Sequence, residues 1–367
     1  MDGNKDKSPS FAILGKAKTL EAQYFKTYYA NIRKKEKDYR AFGHFLGSLS
    51  PYFKDKNTVY FSLDGIYHKI SLRSLLQAPN QYFGDSLNIV RVASSQIPTH
   101  KEPSKKLNRI VLFGNPSFNL SKKGGWLSSI LEKNASEESE IPSLASEIKN
   151  TRNFRNGVGD LPYTKDEVLG IAKIFKDKWT VIELLEDKAT KSNLKKISNP
   201  TVLHFATHGF FIKKAERDQS SAFLSAGTID PMFSSGLLFA GASNTLAGRS
   251  NATDNGILSA FEVINLDLKD TDLVVLSACE TGLGDIYNGE GVIGLQRAFQ
   301  IAGAQNVMMS LWKVDDEATQ QLMVLFYKNL ADGQSKQIAL KNAQISLRQI
   351  EKFNHPFYWA GFVLSSN

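Results

Sequence analysis

The chain has 367 residues, 42% hydrophobic and 22% charged, a balance that suits a folded globular protein with length for one large domain or two ordinary ones. Its formal charge of +8 is concentrated early: residues 1–50 hold ten Lys/Arg against five Asp/Glu. A lone cysteine excludes an internal disulfide and a Cys-based structural zinc site, and no apolar run is long enough to cross a bilayer. These features fit a reducing cytoplasm, and no cofactor, metal or membrane insertion is expected.

From about Phe11 to Leu49 the spacing predicts helix. Leu20, Tyr24, Tyr28 and Ile32 lie four apart, and Phe25 and Tyr29 widen the stripe. The basic surplus here reads as a solvated helix face rather than a nucleic-acid site. Pro51 ends this segment. Thr58–Leu63 and Ile66–Ile70 flank Asp64-Gly65, a two-residue hairpin signal with His68 as a surface strand residue. Leu87–Ala93 and Arg109–Phe113 read as further strands.

Residues 119–160 are polar and read as a long surface excursion with a short helix around Ser143–Phe154. Thr164 with Glu167 forms a capping-box signature ahead of the apolar stripe Val168, Ile171, Ala172 and Phe175. Trp179–Leu184 is a predicted strand and Thr190–Ile197 a short helix. A second excursion spans 213–255, followed by a helix at Leu258–Ile264. Further on, the pattern predicts a helix at Gly291–Ala302, a strand at Asn306–Leu311 and helices at Glu317–Leu330 and after Ser335. The last of these turns Ile338, Ala343, Leu347 and Ile350 inward, and a strand at Phe357–Leu364 closes the chain. The alternation predicts an α/β fold with a mainly parallel central sheet and helices on both faces.

Two apolar runs of strand length, Thr201–Ala206 and Leu273–Ala278, each end in a polar or Gly-punctuated turn, as inner parallel strands do. Ligands bind where the carboxyl ends of such strands meet. His208 follows one run and Cys279 the other. A thiol needs an imidazole or a helix N-terminus to become a thiolate, and both are in prospect here. Cys279 is therefore the candidate nucleophile and His208 its base. Gly209 and the amide of Cys279 are the candidate oxyanion donors. The rival reading of Cys279 is a small packed core residue. His204 and His208 are four apart, but on a strand that separates them by ~13 Å, too far for one metal ion. His204 reads as a satisfied core histidine.

The segments His204–Gly209, Leu276–Gly284, Ser310–Thr319 and Tyr358–Phe362 resemble the CHAT domain, a caspase-like peptidase domain in the clan of separase, caspases and gingipains. The likeness runs from about Thr58 onward, over 51–367 as the domain unit, with 1–50 a basic helical segment before it. The resemblance implies a caspase-haemoglobinase-like fold and a His208–Cys279 dyad. It also implies regulated cleavage of protein partners in prokaryotic defence or cell death, with a gasdermin-like pore former as one such substrate. A tetratricopeptide-repeat region upstream or another regulatory protein is the expected partner. By analogy with separase, Asp316, with Asp315, would pair with a substrate Arg or Lys, and Trp312 would wall the cleft. The competing reading makes Asp315 a helix cap and leaves Asp316 at the positive helix end. Arg152, Arg155 and Arg249 lie in the excursions as candidate autoprocessing sites. The alternative functions are a catalytically silent interaction scaffold and, more weakly, a nucleic-acid adaptor working through the basic segment.

Overall fold

A computed structural model describes residues 10, 12–93, 108–120, 141–151, 154–212, 231–249, 251, 254–278, 285–287 and 291–367. Strands β1 (Thr58–Ser62), β2 (Asn88–Val92), β3 (Arg109–Pro116), β4 (Thr180–Glu186) and β5 (Val202–Ala206) come first. After them come β6 (Gly209–Phe211), β7 (Ser235–Leu238), β8 (Ile257–Ser259), β9 (Leu273–Ser277), β10 (Asn306–Ser310) and β11 (Phe362–Ser366). Eight of these form one sheet in the order β1-β2-β11-β10-β9-β5-β3-β4.

Two parallel blocks make up this sheet. β10, β9, β5, β3 and β4 run one way, β1, β2 and β11 the other, and the blocks join where β11 pairs antiparallel with β10. The inner strands are buried on both faces, which is why they read as unbroken apolar runs. Alternation along β5 shows the two layers. His204 faces α4 (Pro162–Phe175) and α7 (Asp316–Ala331), while Phe205 packs across the sheet on Phe299 of α6 (Leu295–Ile301), centroids 5.7 Å apart. α8 (Lys336–Arg348) lies beside α7.

The N-terminal stripe packs onto this body. Tyr28 and Ile32 are buried, and the Tyr28 hydroxyl meets Ser74 Oγ at 2.9 Å. The helical region comes in pieces: Phe25–Lys34 is followed by Lys35, whose left-handed φ of 60° turns the chain toward a second helix at Ala41–Leu46.

Several other expectations fail for identifiable reasons. No hairpin forms at Asp64-Gly65: β1 pairs in parallel with β2, and Gly65–Lys69 is a 3₁₀ turn whose first amide donates to Asp64 Oδ1. Thr164 does not cap α4, which begins at Pro162. Instead the Thr164 hydroxyl donates to Leu161 O and accepts from Asn115 N, and Glu167 reaches His204. The helix expected from Leu258 starts only at Ala260, capped by a Ser259/Glu262 box, and the one expected from Gly291 starts at Leu295, because both are preceded by short strands. Ile350 is exposed, and Phe357–Trp359 belong to a helical turn, leaving the last strand to begin at Phe362.

Parts of both excursions pack into the body. Ile148 of the helix Ile141–Asn150, Phe154 and Leu161 join Phe118, Phe210, Leu238 and Leu246 in a second, smaller core. That core sits on a three-stranded sheet, β8-β7-β6. Gly236 allows the close approach there, since a Cβ would stand 2.2 Å from Leu258 O and 2.5 Å from the Phe210 ring.

Candidate active site

Register places the two key strand ends side by side: Ala206 of β5 pairs with Ser277 of β9. Two residues beyond Ala206, His208 hangs over the sheet edge. Its place is held from both sides, because Thr207 Oγ1 donates to Leu238 O and Leu238 N donates to His208 O at 2.9 Å. The imidazole is half-buried between Phe118 and Phe154, with ring centroids at 5.3 and 5.7 Å.

Nε2 of His208 lies 2.7 Å from the carbonyl oxygen of Gly159. A carbonyl only accepts, so Nε2 carries the proton. The neutral ring then presents Nδ1 as an acceptor. Burial pushes the His208 pKa down, against the opposing pull of the Gly159 carbonyl and the Asp316 charge. A half-buried imidazole biased to its neutral form with one tautomer fixed can act as a base.

The cleft below the ring is lined by Thr207, Ser277, Ala278, Thr164, Glu167 and Asp316. Asp316 opens α7, and burial raises its pKa while nearby His208 opposes the rise. Cys279 follows Ala278 in the chain and lies outside the described residues, as does Arg152.

Gly209 opens β6. The Leu238 N to His208 O bond flanks the Gly209–Leu237 pair, making that pair the non-hydrogen-bonded type. Its N–H therefore points away from β7.

With this geometry in place, comparison with known proteins is informative. The family model of the CHAT domain matches residues 43–367. The chain belongs to the CHAT domain family. This CHAT domain is built on a mostly parallel eight-stranded sheet in a mixed α/β fold. Tetratricopeptide repeat protein 28 of Homo sapiens is 38% identical over 108 residues, 29% of this chain, and the Mus musculus protein is 35% identical over the same length. The match covers 4% of each of those proteins. Among solved structures, a complex of Porphyromonas gingivalis RgpB pro- and mature domains aligns with a TM-score of 0.45 and 10% identity, over 96% of this chain and 77% of that one. The Arg-specific cysteine proteinase gingipain R aligns at 0.42 and 9%, over 80% and 57%.

Within the CHAT domain the two neighbouring aspartates divide their tasks. Asp315 Oδ1 accepts from Ala318 N at 3.0 Å and caps α7, whereas Asp316 faces the cleft. Trp312 does not wall the cleft. It is 1% exposed, its Nε1 donates to Phe357 O, and its ring lies under Gly361, so it supports the α7 approach from the core. Arg155 and Arg249 are exposed, the former in the turn after Phe154 and the latter just past the helix Ala242–Leu246.

Sequence reasoning missed the Gly159 carbonyl, which has no side-chain signature. It also missed the buried chain beneath the cleft. There Glu167 Oε1 lies 2.9 Å from His204 Nε2, and His204 Nδ1 lies 3.1 Å from the Tyr327 hydroxyl. All three side chains are essentially inaccessible, and burial raises the Tyr327 pKa further than the nearby Glu167 charge does. A buried Glu four residues before the next helical stripe position was the available signal.

Proposed function

We propose that this protein is a cysteine endopeptidase in which the Cys279 thiol is the nucleophile and His208 the base. The observation that carries the reading is the His208–Gly159 hydrogen bond at an edge that Ala278 also lines. Covalent geometry puts the α-carbon of Cys279 ~3.8 Å from that of Ala278. The thiol proton passes to Nδ1, and the thiolate adds to the substrate carbonyl carbon. The resulting oxyanion is met by the Gly209 and Cys279 amides, each such donor being worth about 3 kcal/mol. On collapse the imidazolium gives its proton to the leaving amine, and water then hydrolyses the thioester. The Gly159 carbonyl holds the tautomer throughout, as an acceptor facing the ring nitrogen that does not exchange protons.

Asp316 is the specificity residue in this reading. A carboxylate already partly desolvated in the cleft suits an Arg or Lys side chain on the acyl side of the cut, with the pairing restoring its charge. The substrate is a selected protein partner, a gasdermin-like pore former being the working candidate, and a tetratricopeptide-repeat region is the regulatory partner in keeping with the relatives' name. Arg155 and Arg249 are exposed enough to be self-cleavage sites. The setting is regulated proteolysis in defence or cell death.

The second reading, a silent interaction scaffold, is favoured by the deep packing of the site between two cores. A thiol-reactive probe separates the two. Selective labelling of Cys279 that is lost in His208→Ala, together with substrate fragments absent in Cys279→Ala, supports the peptidase. An inert thiol in the folded protein supports the scaffold.

A further inference from the structure

The sheet face under α8 carries a second polar cluster that shares no residue with the His208 cleft. A cavity of about 30 Å³, partly open to solvent, is lined by Ser71, Arg73, Ile89, Arg91, Gln337 and Leu340, among others, with no carboxylate among its lining residues. Arg91 is 6% exposed. Its Nη2 donates to His68 O at 3.1 Å, while Nη1 is buried without a hydrogen-bond partner among the described residues, as is Ser71 Oγ. Arg73 Nη1 donates to Gly84 O at 3.1 Å, and a Cβ at Gly84 would stand 2.8 Å from that nitrogen, so the missing side chain gives the guanidinium its seat. Lys341 lies one turn beyond Gln337 on α8 and reaches Asn88 Oδ1 at 3.5 Å.

Buried cations need a counter-charge. Here both guanidiniums rest on neutral carbonyls. The carboxylate that Arg73 feels is that of Asp85, and its two oxygens are already taken, Oδ1 by Arg348 Nη1 and Oδ2 by Tyr82 N, each at 2.9 Å. Burial draws Arg73 and Arg91 down to about 10, and Lys341 is lowered by burial and then by Arg73. Positive charge is thus gathered around a hollow whose lining supplies donors and no counter-ion.

We propose that this cavity binds a tetrahedral oxyanion of the phosphate class, with Arg73 and Arg91 as its charged donors and Ser71 and Gln337 as neutral ones. Guanidinium forks match phosphate oxygens, and two of them complement a dianion better than a single carboxylate. The open side admits either inorganic phosphate or the phosphate of a small monoester, and the same chemistry serves both.

The test is titration calorimetry of the full chain with sodium phosphate and, separately, glycerol 3-phosphate, against sodium chloride at matched ionic strength. Thermal unfolding is followed in the same solutions. The expected result is saturable phosphate binding with a rise in Tm beyond the chloride control. At least tenfold weaker binding is expected in Arg91→Met and in Arg73→Met. Tenfold tighter binding of the monoester assigns the source to a phosphorylated metabolite, and equal or weaker binding assigns it to free phosphate. Absence of saturable binding to the wild type overturns the proposal without recourse to any variant. So does binding that is undiminished in both folded variants.

Discussion

His208 donates its Nε2–H to the carbonyl oxygen of Gly159 across 2.7 Å, so a backbone group from the segment before α4 sets the tautomer of a ring at the end of β5. The contact needs no side chain at 159, and a Cβ there would meet nothing within 4 Å. Gly159→Ala should therefore unfold within about 1 kcal/mol of the wild type and label at Cys279 as the wild type does. His208→Ala should fold and lose labelling. Equal labelling of both variants would show that the ring does not activate the thiol.

Burial favours neutral His208, so the acid limb of thiol reactivity should fall below the ordinary histidine value of 6.5. The rate of iodoacetamide modification against pH measures this directly. A limb above 6.5 would mean that the imidazolium is the stabilised form.

Asp315 and Asp316 should separate under mutation. Asp315→Ala removes the bond to Ala318 N and should cost about 1 kcal/mol of stability while leaving any preference for Arg or Lys in place. Asp316→Ala should change stability little and abolish that preference in a peptide library. Retained preference in Asp316→Ala would return the carboxylate to a purely electrostatic role at the helix end.

The Glu167–His204–Tyr327 chain ties α4, β5 and α7 together in the interior. Glu167→Leu removes the buried carboxylate that lies 2.9 Å from His204 Nε2 and should cost about 1–3 kcal/mol. Because Tyr327 shares the same ring, Glu167→Leu and Tyr327→Phe should couple by at least 0.5 kcal/mol in a double-mutant cycle followed by urea denaturation. Additive effects would show that the two contacts act separately.

His68 offers a test of acid sensitivity. Its pKa is lowered to about 4, first by burial and then by Arg91. The unfolded chain takes up this proton near 6.5 and the native one only near 4, so the stability contribution is complete above 6.5 and lost as pH falls toward 4. His68→Gln should flatten the fall of Tm across that window. An unchanged slope would place the acid sensitivity elsewhere, His208 and His355 being the other histidines among the described residues whose pKa values are lowered.

The sequence made the sheet readable because β5, β9 and β10 are buried on both faces and so appear as largely apolar runs. The helix after Ser335 was equally plain, since a hydroxyl before an apolar stripe has one common use. What failed was local signal overruled by distant partners. Asp64-Gly65 has the composition of a hairpin, yet β1 finds its partner in β2, some thirty residues on. Glu167 has the spacing of a capping box, but His204 holds its carboxylate. Trp312 sits within a motif and still serves the core. The Gly159 carbonyl could not be found at all, because every residue carries one.

The reversal at β11 has a consequence for biogenesis. Among the described residues, β1 and β2 connect to the remaining strands of the sheet only through Phe362–Ser366, which inserts between β2 and β10. During synthesis the opening hairpinless pair must wait on the ribosome for more than two hundred and fifty further residues (from Val92 to Phe362) before it can dock. Until then its inner edge is open, so a chaperone that shields an unpaired strand should engage nascent chains stalled before residue 362 and release those extended past 366.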